Sequence, residues 1–271
     1  MHAVHQLYQY RKSLSTTAYK SRGHRVNRCP LCHIAQSHCI CAMSPSNIPL
    51  KTKAGFLLLM YDTEVLKPSN TGKLIADVIP DTFAFLWSRT EHNIALQAVL
   101  DDPQWFPMVV FPQEYAQQTR KVFTNEVSYP EDKRPLFIML DGSWREAKKM
   151  FRKSAYLDGY PMVSFNAKDL QSSENCNINT VTNNLLSPVG IDSRYTVRKT
   201  LLEHQFSTAE VAARVLDMQG ENDNAQLLDL WFDVFNFQYQ KSVCQRNKGN
   251  IYAVENYQQF VKQTYRKFFN T

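Results

Sequence analysis

Five short apolar segments, separated by helical stretches, constrain the fold of this chain more than any other feature of its sequence. They are Phe56–Tyr61, Thr82–Trp87, Met108–Phe111, Leu136–Leu140 and Met162–Phe165. All are mostly apolar and rich in aromatic or β-branched residues, as strands buried on both faces of a parallel sheet are. Because they alternate with helical patterns, the sequence predicts an α/β domain built on a mostly parallel sheet.

The segments between these strands carry helix signals. Helices are predicted after Thr71, over Ile94–Leu100, from Ser143 to Leu157, from the capping box Ser207-Thr-Ala-Glu210 through Leu216, and over Ala225–Phe237. Residues 166–192 include an Asn- and Ser-rich stretch, which predicts an exposed loop or insertion.

Composition favours a soluble protein of a reducing compartment. The chain has 271 residues, of which 44% are hydrophobic, so a sizeable core can form. Its longest uncharged apolar stretch, Gly55–Tyr61, is far shorter than the ~20 residues that cross a bilayer. The first 28 residues have no apolar middle segment of the kind found in signal peptides. We therefore expect a cytoplasmic protein with no membrane partner.

Positive charge is concentrated at the two ends of the chain. The formal net charge is +6, and residues 1–28 carry six Lys or Arg with no acidic residue. Residues 237–271 add a net +5, whereas residues 29–236 carry a net −5. Separated basic termini indicate a polyanionic partner, either nucleic acid or an anionic surface; the alternative is a solvated tail without a partner. The expected organisation is a basic arm at 1–28, a cysteine unit at 29–44, the main α/β domain at 45–236 and a basic extension at 237–271.

Four of the six cysteines lie within thirteen residues, at Cys29, Cys32, Cys39 and Cys41. Four thiolates at this spacing can close a tetrahedral sphere around one Zn²⁺, which leaves no open position and indicates a structural role. The alternatives are four unrelated thiols or a redox pair formed by the first two. The ligand set itself stays open at this point, because nearby histidines can replace a thiolate. These histidines are His24, His33 and His38.

Asp141 directly follows the predicted strand Leu136–Leu140, and Gly142 and Ser143 lead into the next helix. Ligands of open α/β sheets bind at the carboxyl ends of strands, so Asp141 is well placed for catalysis. The alternative is that Asp141 caps the helix that begins near Trp144. Position alone makes these two interpretations about equally probable.

The helix after Asp141 carries a continuous basic face. Its cations are Arg145, Lys148, Lys149, Arg152 and Lys153. Their spacing of i, i+3, i+4, i+7 and i+8 places them on one side, and the opposite, apolar side is expected to pack on the sheet. Such a face suits a phosphate backbone. The alternative is a basic face that is merely solvated.

Asp141-Gly-Ser-Trp144 is similar to the signature of the DTW-domain family, in which Asp-Thr-Trp or Asp-Gly-Thr-Trp follows a strand. The resemblance spans about Arg28 to Gly220 and is closest to the bacterial tRNA-uridine aminocarboxypropyltransferases of that family. It includes the four-cysteine unit, Lys67-Pro-Ser-Asn-Thr-Gly-Lys73, Trp87-Ser-Arg-Thr-Glu91, Val109-Val-Phe-Pro112 and Ser193-Arg-Tyr-Thr-Val-Arg198. The chain departs from the usual pattern by Ser143 in place of Thr, by a longer stretch between Phe165 and Ser193, and by a long basic end after Asn236.

The resemblance implies a fold related to the knotted SPOUT methyltransferases, with a trefoil knot and with S-adenosylmethionine bound by loops at the knot. It implies transfer of the 3-amino-3-carboxypropyl group of S-adenosylmethionine to N3 of a uridine at position 47, in the variable loop of tRNA, with release of methylthioadenosine. The reaction requires removal of the N3 proton, for which a carboxylate is the simplest general base. Asp141 is the candidate base, and Trp144 is a candidate for stacking on a splayed base, although a core role for its indole is at least as probable.

The resemblance also assigns candidate site residues. Asp141, Ser143 and Trp144 are expected to be catalytic. Cofactor binding is expected from Asn70, Thr71, Gly72, Ser88, Arg89, Thr90, Phe111, Leu140, Tyr195 and Arg198, with Arg194 in the same polar group. RNA binding is expected from Arg22, Arg25 and Arg28 in the arm and from the basic helix face. Two other functions remain open: a SPOUT-like RNA methyltransferase, and a zinc-bearing RNA-binding protein without catalysis.

Overall fold

The structure, a computed structural model, describes residues 1–21, 23–91, 93–165, 194–195, 206–243 and 246–269. The helices are α1 (Ala3–Ser13), α2 (Gly72–Val78), α3 (Ile94–Asp101), α4 (Trp144–Lys153), α5 (Thr208–Met218), α6 (Asn222–Val243) and α7 (Ala253–Phe269). The strands are β1 (Gly55–Met60), β2 (Thr82–Leu86), β3 (Trp105–Val110), β4 (Val122–Phe123), β5 (Arg134–Asp141) and β6 (Met162–Val163). No helix in the described ranges combines the length and apolarity that a membrane span needs.

The strands form one sheet in the order β2-β1-β5-β3-β6-β4, and every described pairing is parallel. The predicted α/β architecture with a mostly parallel sheet is therefore confirmed. Residues 166–193 and 196–205, which include the predicted insertion, lie outside the described part of the chain. The trefoil knot and the SPOUT relationship stay predictions.

Side chains of successive strand residues alternate between two cores, as the period of a strand requires. Phe56 and Leu58 of β1 face a core formed with α1, α2, α5, α6 and α7, whereas Leu57 and Leu59 face a core formed with α3 and α4. All four side chains are completely buried. Helices on both faces explain why these strands are continuously apolar in sequence.

Strands β1 and β5 are neighbours in the sheet, and the connections that leave their carboxyl ends run in opposite directions. From β1 the chain passes through α2 to β2 on one side, and from β5 it passes through α4 to β6 on the other. The two connecting helices lie on opposite faces. Such a topological switch point opens a crevice at the carboxyl ends of the strands. Asp141, the last residue of β5, pairs in register with Met60 at that position.

The predicted elements are largely confirmed, with four main differences. Helix α7, in the basic extension, was not predicted. The two-residue strand β4 was not predicted, because two residues at the edge of a sheet leave no periodic signal. The helix predicted from Ser143 to Leu157 ends at Lys153 and is followed by a 3₁₀ turn at Ala155–Leu157. Helix α6 is longer than predicted and passes through position 236, where the sequence suggested a boundary. The proposed domain division stays a prediction.

Candidate active site and metal centre

Asp141 is buried at the switch point, with 2% of its surface exposed. Its backbone carbonyl accepts a hydrogen bond of 2.9 Å from the N–H of Tyr61, which continues β1. Its carboxylate accepts hydrogen bonds from two distant segments: Asn70 Nδ2 donates to Oδ2 at 2.7 Å, and Thr208 Oγ1 donates to Oδ1 at 2.6 Å. Asp141 therefore ties together the end of β5, the loop before α2 and the start of α5.

The loop before α2 approaches this carboxylate closely. A β-carbon added to Gly72 would lie 2.6 Å from Asp141 Oδ2, so only glycine fits there without a shift. Asn70 Nδ2 also lies 3.3 Å from Glu64 Oε1, whereas Asn70 Oδ1 is buried with no hydrogen-bond partner among the described residues. The loop is thus organised by two buried carboxylates and offers one unused acceptor.

Little empty space remains beside this loop. The cavity that adjoins Asn70 measures about 10 Å³ and is also lined by His33 and Lys73. This volume holds at most one water molecule.

Thr71 and the loop after β2 occupy different surroundings. Thr71 is buried, and its Oγ1 lies 3.4 Å from the N–H of Ala209. The hydroxyl of Ser88 accepts hydrogen bonds from the backbone N–H groups of Thr90 and Glu91, at 3.3 and 3.0 Å. The side chains of Arg89 and Thr90 are exposed. The structure therefore separates the Asn70–Gly72 loop, which contacts Asp141, from the Ser88–Thr90 loop, for which no such contact is seen among the described residues.

Phe111 and Leu140 lie on the α4 side of the sheet. Phe111 is buried, and Leu140, the residue before Asp141, is half-buried. The ring of Phe111 stacks on Trp144 at 5.4 Å and 18° and on Phe151 at 4.4 Å and 9°. Trp144 therefore sits in an aromatic cluster of the core, one of the two roles considered for its indole.

Tyr195 contacts the loop before α2 directly, because its hydroxyl donates a hydrogen bond to the backbone carbonyl of Ser69. The neighbouring Arg194 instead faces α6, where its guanidinium pairs with Asp229 and, at 2.8 Å, with Asp233. Its backbone N–H donates to Glu210 at 2.8 Å. Arg194 thus anchors this segment to α5 and α6. Arg198 lies outside the described residues.

Ser143 is the N-cap of α4. The carboxylate of Glu146 accepts hydrogen bonds from the backbone N–H and the hydroxyl of Ser143, at 2.7 and 2.6 Å. The start of α4 is therefore capped by Ser143 and Glu146, while the carboxylate of Asp141 is directed at the Asn70–Gly72 loop and Thr208. The geometry therefore argues against the capping role considered for Asp141.

The basic side of α4 lines a cleft of about 920 Å³. Among the residues that line it are Tyr61, Tyr115, Arg120, Arg145, Lys148, Lys149, Phe151 and Arg152. None of the five cations of α4 forms an ion pair with a carboxylate of the described residues. Ala147 and Met150 on the opposite side are buried against the sheet, as the spacing predicted. The cleft combines unpaired positive charge with aromatic side chains.

One of these cations also contacts the strand ends. Lys149 Nζ lies 3.0 Å from the hydroxyl of Tyr61 and is positioned over the rings of Tyr61 and Trp87. Tyr61 thus lines the basic cleft and also donates its backbone N–H to the backbone carbonyl of Asp141.

The N-terminal arm is partly built into the fold. Val4 and Leu7 of α1 are buried in the larger core, and the guanidinium of Arg11 forms two hydrogen bonds with Asp62, at 2.6 and 2.9 Å. Arg28, a predicted RNA contact, donates to the carbonyl of His33 at 3.0 Å and lies over the ring of Tyr239.

Two predicted RNA contacts of the arm remain. Arg25 is exposed, and Arg22 lies outside the described residues.

The four predicted metal ligands converge. The Sγ atoms of Cys29, Cys32, Cys39 and Cys41 all lie within 4.8 Å of one another. The Cys29–Cys41 and Cys32–Cys39 sulfur distances are 3.6 and 3.8 Å. Sulfurs bound tetrahedrally to Zn²⁺ at about 2.3 Å lie about 3.8 Å apart, so the cluster could hold a metal such as zinc.

No histidine belongs to this cluster within the described ranges. His33 has a positive φ of 61° at the turn after Cys32, and its ring packs against Tyr8 at 4.4 Å. Burial lowers the pKa of His33 to about 2. Among the described residues, the group placed to hold a metal consists of the four cysteines.

Thr208, Tyr61 and Lys73 were not predicted as site residues, although the structure places each in contact with a residue of the site. Thr208 was seen only as part of a capping box, and 67 positions separate it from Asp141. Lys73 is a buried cation that contacts Cys32, which is 41 positions away. Lys73 belongs to the motif Lys67-Pro-Ser-Asn-Thr-Gly-Lys73. A single sequence nevertheless holds no signal that connects positions so far apart along the chain.

Two comparisons bear on identity. No solved structure matches the chain. The family model of the DTW domain matches residues 26–240, which include the cysteine cluster, the Asn70–Gly72 loop, Asp141 and α4. This match exceeds half of the chain and extends beyond the span of the motifs found in the sequence. The chain belongs to the DTW-domain family.

Proposed function

We propose that this protein transfers the 3-amino-3-carboxypropyl group of S-adenosylmethionine to N3 of a uridine in tRNA, at position 47 of the variable loop. Membership of the DTW-domain family is consistent with tRNA modification. The choice of group and of nucleotide rests on the similarity to aminocarboxypropyltransferases. The observation that carries the proposal is the position of Asp141 at the switch point, two residues before Ser143, which lines the cleft beside α4.

The RNA half of the proposal rests on the α4 cleft. Arg145, Lys148 and Arg152 form no ion pair with a carboxylate of the described residues, so they can pair with RNA phosphates. Two carboxylates, Glu146 and Asp158, also line the cleft and reduce its net positive charge. Neutralisation of phosphates releases counterions, which supplies most of the affinity for nucleic acid. The aromatic side chains in the cleft, including Tyr61 and Tyr115, offer surfaces for unstacked bases of a loop.

The S-adenosylmethionine half of the proposal rests on the hydrogen-bond acceptors in and beside the Asn70–Gly72 loop. When bound, S-adenosylmethionine supplies an electrophilic carbon attached to a positively charged sulfur. The buried carboxylates of Glu64 and Asp141 and the unused acceptor Asn70 Oδ1 suit a cationic ligand with N–H donors. The glycine at position 72 allows the backbone close approach. Because the adjoining cavity of about 10 Å³ is far too small for a nucleoside, the proposal requires this loop to open on binding.

Asp141 is proposed to accept the uridine N3 proton or to orient the loop that binds the cofactor. A carboxylate can remove this proton if it comes within hydrogen-bond reach of N3. In the structure both of its oxygens accept hydrogen bonds, from Asn70 and Thr208, and only 2% of its surface is exposed. The first role therefore requires the surrounding segments to move so that uridine N3 can reach a free lone pair of the carboxylate. The second role needs no such movement.

Incubation of the full chain with bulk tRNA and S-adenosylmethionine tests the proposal. Two preparations are compared, one labelled in the aminocarboxypropyl chain and one in the methyl group. Retention of the first label on tRNA, at a single nucleotide, is the expected result. Retention of the methyl label alone would replace the proposal with an RNA methyltransferase. Transfer of neither label would leave an RNA-binding protein.

A further inference from the structure

Lys73 is a buried cation that joins two parts of the molecule. It lies in α2, and only 5% of its surface is exposed. Its ammonium donates hydrogen bonds to the carbonyl of Cys32 at 2.6 Å and to the carbonyl of Pro68 at 3.1 Å, and it lies 4.6 Å from the centre of the Phe235 ring. One partner belongs to the cysteine cluster and the other to the loop that contains Asn70.

The burial of this ammonium makes its two carbonyl partners important. Removal of water disfavours a charged group, and the two carbonyls replace water as hydrogen-bond partners of the ammonium. A buried charge that loses a hydrogen-bond partner is strongly destabilised. The ammonium therefore keeps both carbonyls in place together, and displacement of one carbonyl weakens its hold on the other.

The turn that presents the Cys32 carbonyl depends in turn on the cysteine cluster. Cys29 N–H donates to the carbonyl of Ile34 at 2.8 Å, and His33 N–H donates to the carbonyl of Cys29 at 3.1 Å. These are the contacts of a tight turn whose two cysteines point into the cluster. A bound metal would fix this turn, because a closed tetrahedral site stabilises the fold around it.

We propose that Lys73 couples occupancy of the four-cysteine metal site to the conformation of the loop at residues 67–72. With metal bound, the Cys32 carbonyl is held in place, Lys73 is held by it, and the loop is held through the Pro68 carbonyl. Loss of the metal releases the Cys32 carbonyl and loosens the loop. Lys73 is a positioning residue in this scheme, and the proposal stands whether or not the protein transfers an aminocarboxypropyl group.

Hydrogen–deuterium exchange of the full chain tests this coupling. Exchange of residues 66–75 is measured with zinc bound and after zinc is removed by a chelator, and residues 134–141 of β5 report on global stability. In the wild-type protein, zinc removal is expected to accelerate exchange in 66–75 by about tenfold, the usual scale of a hydrogen bond to a charged group, with little change in β5. Unchanged exchange in 66–75 after verified zinc loss would overturn the proposal, as would protein that binds no zinc.

The variant Lys73→Met separates coupling from a merely structural role. It keeps most of the length of the side chain and removes the ammonium. Its loop should exchange faster even with zinc bound, and zinc removal should cause no further acceleration, because the connection is already broken. If zinc removal still accelerates exchange in Lys73→Met by the wild-type factor, the coupling does not pass through Lys73.

Lys67→Met is the matched control. Lys67 lies in the same loop, but its ammonium contacts Glu64 at 2.6 Å and has no contact with the cysteine unit among the described residues. This variant should retain the wild-type response to zinc removal. Coupling is also reciprocal, so Lys73→Met should bind zinc more weakly than Lys67→Met and wild type do, as measured by equilibrium competition with a chelator. Equal zinc affinities for all three proteins would contradict the proposal.

Discussion

Gly72 and Asp141 meet so closely that a β-carbon on the glycine would fall 2.6 Å from the Oδ2 atom of the carboxylate. The backbone of one segment and a buried charge of another therefore fit together only because position 72 has no side chain. The same carboxylate holds Asn70 and Thr208, so a shift of Asp141 disturbs all the segments that meet at the switch point.

Gly72→Ala should lower the free energy of unfolding by about 1–3 kcal/mol, the usual cost of overpacking. Urea denaturation measures this change. Gly159→Ala is the matched control, because a β-carbon there meets nothing within 4 Å. It should change stability by no more than about 0.5 kcal/mol. Equal effects of the two substitutions would contradict the close approach at Gly72.

Asp141→Asn isolates the charge of the carboxylate. An asparagine at this position can still accept from Asn70 and can donate to the hydroxyl of Thr208, so the shape of the site is kept. If Asp141 is the general base, single-turnover rates should fall by about 10²–10⁴-fold with little change in ligand affinity. If it orients the cofactor loop, the affinity for S-adenosylmethionine should fall together with the rate. Near-normal turnover would remove Asp141 from the mechanism.

Substitution of Lys148 and Arg152 by Gln should weaken tRNA binding and reduce its salt dependence, by about one unit of slope for each cation that contacts a phosphate. The measurement is tRNA affinity over a series of salt concentrations. Substitution of Lys51 and Lys53 by Gln is the control. It removes the same charge from exposed positions before β1, at the end of the sheet where the strands begin. An identical loss of slope in both double variants would assign the affinity to net charge instead of the cleft.

Cys39→Ser should abolish stoichiometric zinc in protein purified without chelator, because three thiolates no longer close the tetrahedral site. Elemental analysis measures the metal directly. Cys176→Ser removes a cysteine outside the cluster in sequence and should leave the zinc content unchanged. Full zinc occupancy in Cys39→Ser would refute the four-cysteine ligand set.

Leu7→Ala should destabilise the protein by about 2 kcal/mol or more, because Leu7 is buried in the main core. Tyr10→Ala, on the exposed side of the same helix, should have little effect. Thermal or urea unfolding distinguishes them. The buried side of α1 also means that deletion of residues 1–28 would disturb the fold, so substitution of the exposed Arg25 is a cleaner test of RNA binding by the arm.

The sequence alone predicted those features that depend on local pattern. Strands such as Leu136–Leu140 are visible because a strand buried on both faces must be continuously apolar. The basic face of α4 follows from the 3.6-residue period, and the four cysteines follow from their short spacing. Resemblance to the DTW family, read from motifs such as Asp141-Gly-Ser-Trp144, is confirmed by the match to the family model.

Only the tertiary structure decided which of these features act together. The partners of Asp141 are Asn70 and Thr208, which lie 71 and 67 positions away, and the partner of Lys73 in the cysteine unit is Cys32, 41 positions away. The same holds for Arg28, whose guanidinium donates to the carbonyl of His33 and lies over the ring of Tyr239, 211 positions away. Spacing along the chain governs contacts within one helix, strand or turn. Contacts between elements are set by the order of strands in the sheet and by the packing of helices on its two faces, and both depend on the burial of the whole core.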